Sequence, residues 1–139
     1  MSVAMCISLR YATKRTIEAV CEALAEFNAE LYARGTVTTP PWSWRWVPDE
    51  LVVCDATVCR VADTSTLADV SIIEPRGAAS CGPLACAYVA WLRVHEGTPA
   101  RIEAQKLGDG VWHVTARGSM LGRAYVWDPQ VIGANHHGK

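Results

Sequence analysis

Three side chains have the types and the order that thiol chemistry requires: Cys81, His113 and Asp128. A cysteine attacks as its thiolate, so it needs a base to take its proton, and the base needs an orienter. Cys81 lies in Ser80-Cys81-Gly82-Pro83, directly before the apolar run Leu84 to Glu96, LACAYVAWLRVHE. Pro83 has no N–H to donate and a fixed φ, so it fits only the first turn of a helix. Cys81 therefore falls at the helix start, where backbone N–H groups and the positive dipole end favour a thiolate. The competing assignment is an ordinary buried thiol, a common fate of cysteine. His113 stands in GVWHVTAR and Asp128 at the end of YVWDPQ. Two neighbouring antiparallel strands packed against the helix start can hold these two side by side, facing Cys81. Asp128 precedes Pro129, which puts it at a strand end, where a carboxylate can tilt toward a neighbour.

A metal is the rival use of the same residue types. Cys54 and Cys59, and Cys81 and Cys86, form two Cys-x4-Cys pairs, at the long edge of zinc spacing. Five residues along one strand place Cys54 and Cys59 on opposite faces. Five along a helix turn Cys86 about 140° from Cys81. No metal site is expected, and Cys6, Cys21, Cys54, Cys59 and Cys86 read as core thiols. No phosphate loop, dinucleotide fingerprint or paired-carboxylate motif occurs, so no cofactor is expected.

The positioning elements follow from periodicity. Leu84 to Leu92 carries no charge, and a helix apolar on every side belongs inside a core. It is too short to cross a bilayer, which needs about 20 apolar residues. Thr13 to Arg34 forms a second helix: Ile17, Val20, Cys21, Leu24, Phe27 and Leu31 recur at three and four, Thr13 or Thr16 can cap it, and Gly35 ends it. Its other face carries Glu18, Glu22, Glu26 and Arg34, expected to be solvated. Thr36 to Pro48 is a loop in which Trp42, Trp44 and Trp46 alternate and would face one way in an extended chain. It reads as a core flap or as a wall over a site. Ser2 to Tyr11 is strand-like, and Glu50 to Ala62 a strand or strand pair. Asp63 to Thr66 is a turn, and Leu67 to Ile73 a short helix stopped by Pro75 and Gly77. After Gly97 and Pro99 come strands Ala100 to Lys106, Val111 to Arg117 and Arg123 to Asp128. Gly108-Asp109-Gly110 and Gly118 to Gly122 are the turns between them. The expected fold is α+β, with a central helix packed on an antiparallel sheet of about three to five strands and an N-terminal helix against it.

The residues ASCGPLACAYVAWLRV, WHVTARG and WDPQVIGA resemble the transglutaminase-like branch of the papain-like cysteine enzymes, specifically its short phage-encoded members. There a helix-start motif of the form G-D-C-E-D-L-A-A-W is followed by an H-V-V-V-R strand and a D-P-S strand end. YATKRTIEAVCEAL and SWRWVPDE are similar to that family's N-terminal helix and aromatic loop. The resemblance implies a papain/transglutaminase-like core with Cys81 as nucleophile, His113 as base and acid, and Asp128 as orienter. It also implies an aromatic oxyanion donor from upstream, Trp46 or Trp44, beside the Cys81 backbone N–H; Gln130 is a further candidate. The family's acidic neighbours of the cysteine are replaced by Ser80 and Gly82-Pro83, which removes three negative charges from beside the thiol.

The implied function is acyl transfer on an amide or peptide substrate, by hydrolysis or transamidation. The alternative is a catalytically silent structural or adaptor protein of a phage particle. One domain is expected over residues 1–134, with a flexible tail over 135–139. A formal net charge of −1 and no Lys/Arg run argue against nucleic acid. The partner expected is a protein or peptide, with no membrane. No signal peptide is visible. With six cysteines, a reducing cytoplasmic compartment is expected.

Overall fold

The computed structural model describes residues 2–9, 11–48, 52–54, 59–61, 64–108 and 110–130. Asp109 of the predicted turn, the end of the predicted domain at 131–134 and the predicted tail at 135–139 lie outside the described residues. In chain order the elements are β1 (Ala4–Ser8), α1 (Lys14–Ala33), a 3-10 turn (Pro41–Ser43), β2 (Arg45–Trp46), β3 (Val52–Cys54), β4 (Cys59–Val61), β5 (Thr64–Ala68), α2 (Val70–Arg76), β6 (Ala78–Ala79), α3 (Cys81–His95), β7 (Arg101–Gly108), β8 (Val111–Met120) and β9 (Arg123–Trp127). The fold is α+β, its sheets antiparallel except for the short parallel pair β2–β6.

The uncharged run becomes α3 and is enclosed on both flanks. Ala85, Cys86, Tyr88, Val89 and Leu92 join Ile17, Cys21 and Leu24 of α1 and Ile102, Val114 and Ala116 of the sheet in one cluster. Leu84, Ala87 and Ala90 join Leu31, Tyr32, Val37, Trp44, Val70 and Ile73 in a second. An all-round apolar helix is the sequence that two such clusters demand, and each fully buried Leu or Val contributes about 1.5–3 kcal/mol.

The three-stranded sheet runs β7-β8-β9 with β8 in the middle. An edge strand exposes unpaired backbone groups, and α1 covers those of β7. The Ala104 N–H donates to Glu18 at 2.9 Å, and Lys14 Nζ donates to the Ala104 carbonyl at 3.2 Å. Arg93 of α3 donates to Glu22 at 2.7 Å and to the Ala100 carbonyl at 2.8 and 3.0 Å. Glu18 and Glu22 are thus not simply solvated, as the charge pattern suggests. They tie α1 to β7 and α3, while Glu26 and Arg34 are exposed.

Several expectations shift for identifiable reasons. β5 occupies the predicted turn and the start of the predicted helix, because pairing with β1 (Leu67 opposite Met5) buries Leu67 and Ala68. α2 then starts at Val70, with Asp69 as its cap, and runs through Pro75 to the left-handed Gly77 at φ 66°. Pro75 sits in the last turn, where its missing N–H costs a single helical bond. Gly118 lies inside β8 rather than in a turn. A Cβ there would stand 3.2 Å from both the Pro99 carbonyl and the Trp127 ring. The hairpin closes instead through Leu121 and Gly122, both at positive φ, 54° and 76°, as a two-residue turn needs. The 3-10 turn breaks the tryptophan alternation, so the three rings do not share one face. Trp42 meets Trp91 edge-on at 5.3 Å, Trp44 is core, and Trp46 lies in β2. Finally, β3 and β4 form a hairpin in which Cys54 is the direct register partner of Cys59. The reading of these cysteines as opposite-facing residues of one strand is therefore corrected.

Asp69 holds this region in register. Its buried carboxylate accepts from the Ser71 N–H at 2.7 Å and the Val3 N–H at 2.5 Å. Asp69→Ala strands these donors and should cost about 2–4 kcal/mol, read as a lowered midpoint in urea unfolding. An unchanged midpoint would contradict the assignment.

Candidate active site

Cys81 is the first residue of α3, and Ser80 before it supplies no side-chain cap. The N–H groups of this first turn have no intrahelical partner, and Pro83 has none to offer. Gly82 packs closely: a Cβ there would lie 2.9 Å from Leu67 Cδ2, so the Leu67 side chain would have to shift. The cysteines then divide by environment. Cys81 is half-buried, whereas Cys21 and Cys86 are buried and Cys6 is exposed. Burial pushes the Cys86 thiol well above its ordinary pKa, helped by its hydrogen bond with Cys21. Cys86 therefore stays protonated and inert near neutral pH. Cys81 lines a cavity of about 20 Å³ with Leu67, Trp112 and Val114, room for about one water.

His113 stands on the central strand opposite Gln105. Its Nε2 lies 2.8 Å from Asp128 Oδ2, and the other carboxylate oxygen, Oδ1, accepts from the Gln130 backbone N–H at 3.0 Å. A carboxylate only accepts, so Nε2 carries the proton and the neutral ring keeps its lone pair on Nδ1. The side chains of His113 and Asp128 are 17% and 29% exposed, open enough for a reactant to approach. The β8–β9 ladder ends at the pair Ala116 and Trp127. Asp128 leaves β9 just beyond it, beside a stretch of β8 that β9 does not pair.

Two of the three predicted catalytic groups, His113 and Asp128, are thus joined by a hydrogen bond. Cys81 shares its cavity with Trp112 and Val114, the strand neighbours of His113, and not with His113 itself. Trp112 and Val114 face the α3 side, and the pleat directs the Cβ of His113 to the alternate side. On that side the imidazole meets Asp128, just beyond the end of the β8–β9 ladder.

The predicted oxyanion candidates separate. Trp46 is delivered to the helix start by the parallel β2–β6 pair, opposite Ala79, with the Val47 N–H donating to the Ala79 carbonyl at 3.0 Å. Trp44 is 3% exposed and packs with Leu84, Val70 and Ile73, a place in the core rather than in a wall. Gln130 acts on the site through its backbone N–H, which holds Asp128. Sequence reading missed a cleft of about 340 Å³ beside Ser80 and Pro83, with Arg76 in its lining. It depends on the two-residue β2–β6 pairing, too short to leave a periodic signal. Among the described residues no three His, Cys, Asp or Glu side chains converge as a metal set. No helix there is long and apolar enough to cross a membrane. No protein-family model, curated protein or solved structure matches the chain.

This division of thiols has a measurable consequence. Brief iodoacetamide treatment of the folded protein near neutral pH, followed by peptide mapping, should modify Cys81 faster than exposed Cys6, and leave Cys21 and Cys86 untouched. Replacing His113 with Ala should remove the lead of Cys81. Faster reaction at Cys6 would contradict an activated Cys81.

Proposed function

We propose that the protein is a cysteine-dependent acyl-transfer enzyme acting on an amide or peptide, built on a papain/transglutaminase-like core. The observation that carries this reading is the 2.8 Å bond between His113 Nε2 and Asp128 Oδ2, with Cys81 opening the buried helix that packs on the same strand. The chain order supports the core assignment: a helix-start cysteine, then a strand histidine, then a strand-end aspartate.

The chemistry follows from the tautomer. His113 Nδ1 takes the Cys81 proton, and the sulfur attacks the amide carbonyl. The tetrahedral oxyanion forms at the start of α3, where the Cys81 N–H and the helix dipole favour negative charge. Trp46, beside Ala79, is the second donor. As the C–N bond breaks, His113 gives its proton to the leaving amine, and Asp128 keeps the imidazolium oriented and stabilised. Water or an amine then accepts the acyl group from sulfur: water gives hydrolysis, an amine gives transamidation. No cofactor enters these steps. The partner is a peptide or protein, in a reducing compartment such as the cytoplasm of a phage-infected host. Nucleic acid is a poor partner for a net charge of −1.

One observation favours the second reading, a silent structural or adaptor protein of a phage particle. The strand pleat sets His113 on the alternate side of β8 from the cavity that Cys81 lines. Catalysis requires the imidazole to reach the thiol around the open strand margin.

Turnover separates the two. Wild-type protein incubated with a tryptic peptide library should generate new termini or amine adducts that the Cys81→Ala variant does not, read by mass spectrometry. Identical digests would overturn the enzyme. Asp128→Asn should lower kcat by about 10²- to 10⁴-fold with little change in melting temperature. A large loss of stability with activity retained would make Asp128 only a strand-end cap.

A further inference from the structure

The small cavity behind Cys81 holds a second thiol that acyl transfer does not use. Cys21 of α1 lines the same space of about 20 Å³ as Cys81, with Ile7, Leu9, Ile17 and Leu67 in its apolar wall. Cys21 is 0% exposed, and its hydrogen bond with Cys86 ties it to a third thiol further along α3. All three are free cysteines. Helix geometry decides which of them can join. Cys81 and Cys86 stand five residues apart on α3, which sets their Cα atoms about 8–9 Å apart, beyond the limit of about 7 Å for a disulfide. Cys21 comes from the other helix, and no such spacing holds it away from Cys81. Cys6 is turned elsewhere. Its neighbour Ile7 lines the cavity, so the pleat directs Cys6 to the opposite face of β1, where its Sγ lies 3.6 Å from Thr66 Oγ1.

We infer that Cys81 and Cys21 form a reversible disulfide when a peroxide oxidises Cys81, and that this bond withdraws the Cys81 sulfur from acyl transfer. As a control on turnover it rests on the thiol-dependent reading of Cys81; the disulfide itself needs only the half-buried thiol. The Cys81 thiolate attacks one peroxide oxygen, the O–O bond breaks, and hydroxide leaves a sulfenic acid behind. The Cys21 sulfur then attacks the Cys81 sulfur. The S–O bond breaks, and hydroxide departs with the Cys21 proton as water. The two sulfurs lose two electrons between them, and the peroxide gains them. With Cys21 sealed from solvent, a thiol reductant reopens the bond by attack at Cys81. A transient disulfide of this kind suits a reducing compartment.

The test uses the full chain, treated with dilute hydrogen peroxide, denatured in N-ethylmaleimide and digested with trypsin without reductant. The expected product joins peptides 16–34 and 77–93, which carry Cys21 and Cys81. Fragmentation across Pro83 tells Cys81 from Cys86. Iodoacetamide modification of Cys81 in the oxidised, folded protein should slow by about tenfold or more, and dithiothreitol should restore it. In Cys21→Ala the link should vanish and peroxide should drive Cys81 on to sulfinic acid. A thermal melt identifies a variant that fails to fold, and the wild-type map then decides alone. Sulfinic acid at Cys81 of the wild type without a link, with iodoacetamide still favouring Cys81 over Cys6, would overturn the inference and leave the thiol reading standing. A link between Cys21 and Cys86 that leaves Cys81 open to iodoacetamide would also overturn it. Cys81 inert to both peroxide and iodoacetamide would overturn both.

Discussion

Helix α3 lies between two apolar clusters, while its first residue, Cys81, stays half-buried. The burial of this helix organises the fold. α1 and the three-stranded sheet enclose one flank of the helix, and α2 with the tryptophan segment encloses the other. The C-terminal end is fixed by Arg93, which bonds the Ala100 carbonyl and Glu22 at once. The N-terminal end is pinned from below by Gly82 against Leu67 and from the side by the β2–β6 pair. The outcome is a gradient along one helix, from a half-buried Cys81 to a Cys86 with no exposure at all.

The same gradient separates the environments of the thiols. A thiol in hydrocarbon is held protonated by desolvation, as at Cys86. Cys81, the first residue of the helix, instead lines a water-sized cavity. Asp128 divides its two oxygens between His113 and the Gln130 backbone, which fixes the imidazole tautomer without burying a charge. β9 stops pairing at Trp127, so Asp128 stands beside a stretch of β8 that β9 does not pair.

Much of this was legible in the residues, for physical reasons. The period of three and four in Ile17, Cys21, Leu24 and Leu31 marks α1, and Thr13 caps it as expected, accepting from the Thr16 N–H at 3.1 Å. The strands of the main sheet were legible because glycine turn signals separate them, although Gly118 proved to lie inside β8. The joining of His113 to Asp128 followed from strand adjacency. What escaped depends on distant partners. β5 was hidden because its strand character comes from pairing with β1, and its own Thr-Ser-Thr run looks like a turn. Trp44 and Trp46 look alike in sequence, yet a single 3-10 turn sends one into the core and leaves the other at the helix start. Glu18 and Glu22 sit on the polar face of α1, and nothing local shows that an edge strand and Arg93 will claim them.

The central claim is that the Cys81 sulfur and the His113 imidazole share one reaction space. A short dihaloketone, which alkylates a thiol and then a nitrogen within reach, tests it directly on the native protein. The account predicts one dominant cross-linked species, in which the proteolytic fragments bearing Cys81 and His113 are joined. Cys81 carrying only a dead-end adduct, or joined to any residue other than His113, would contradict it.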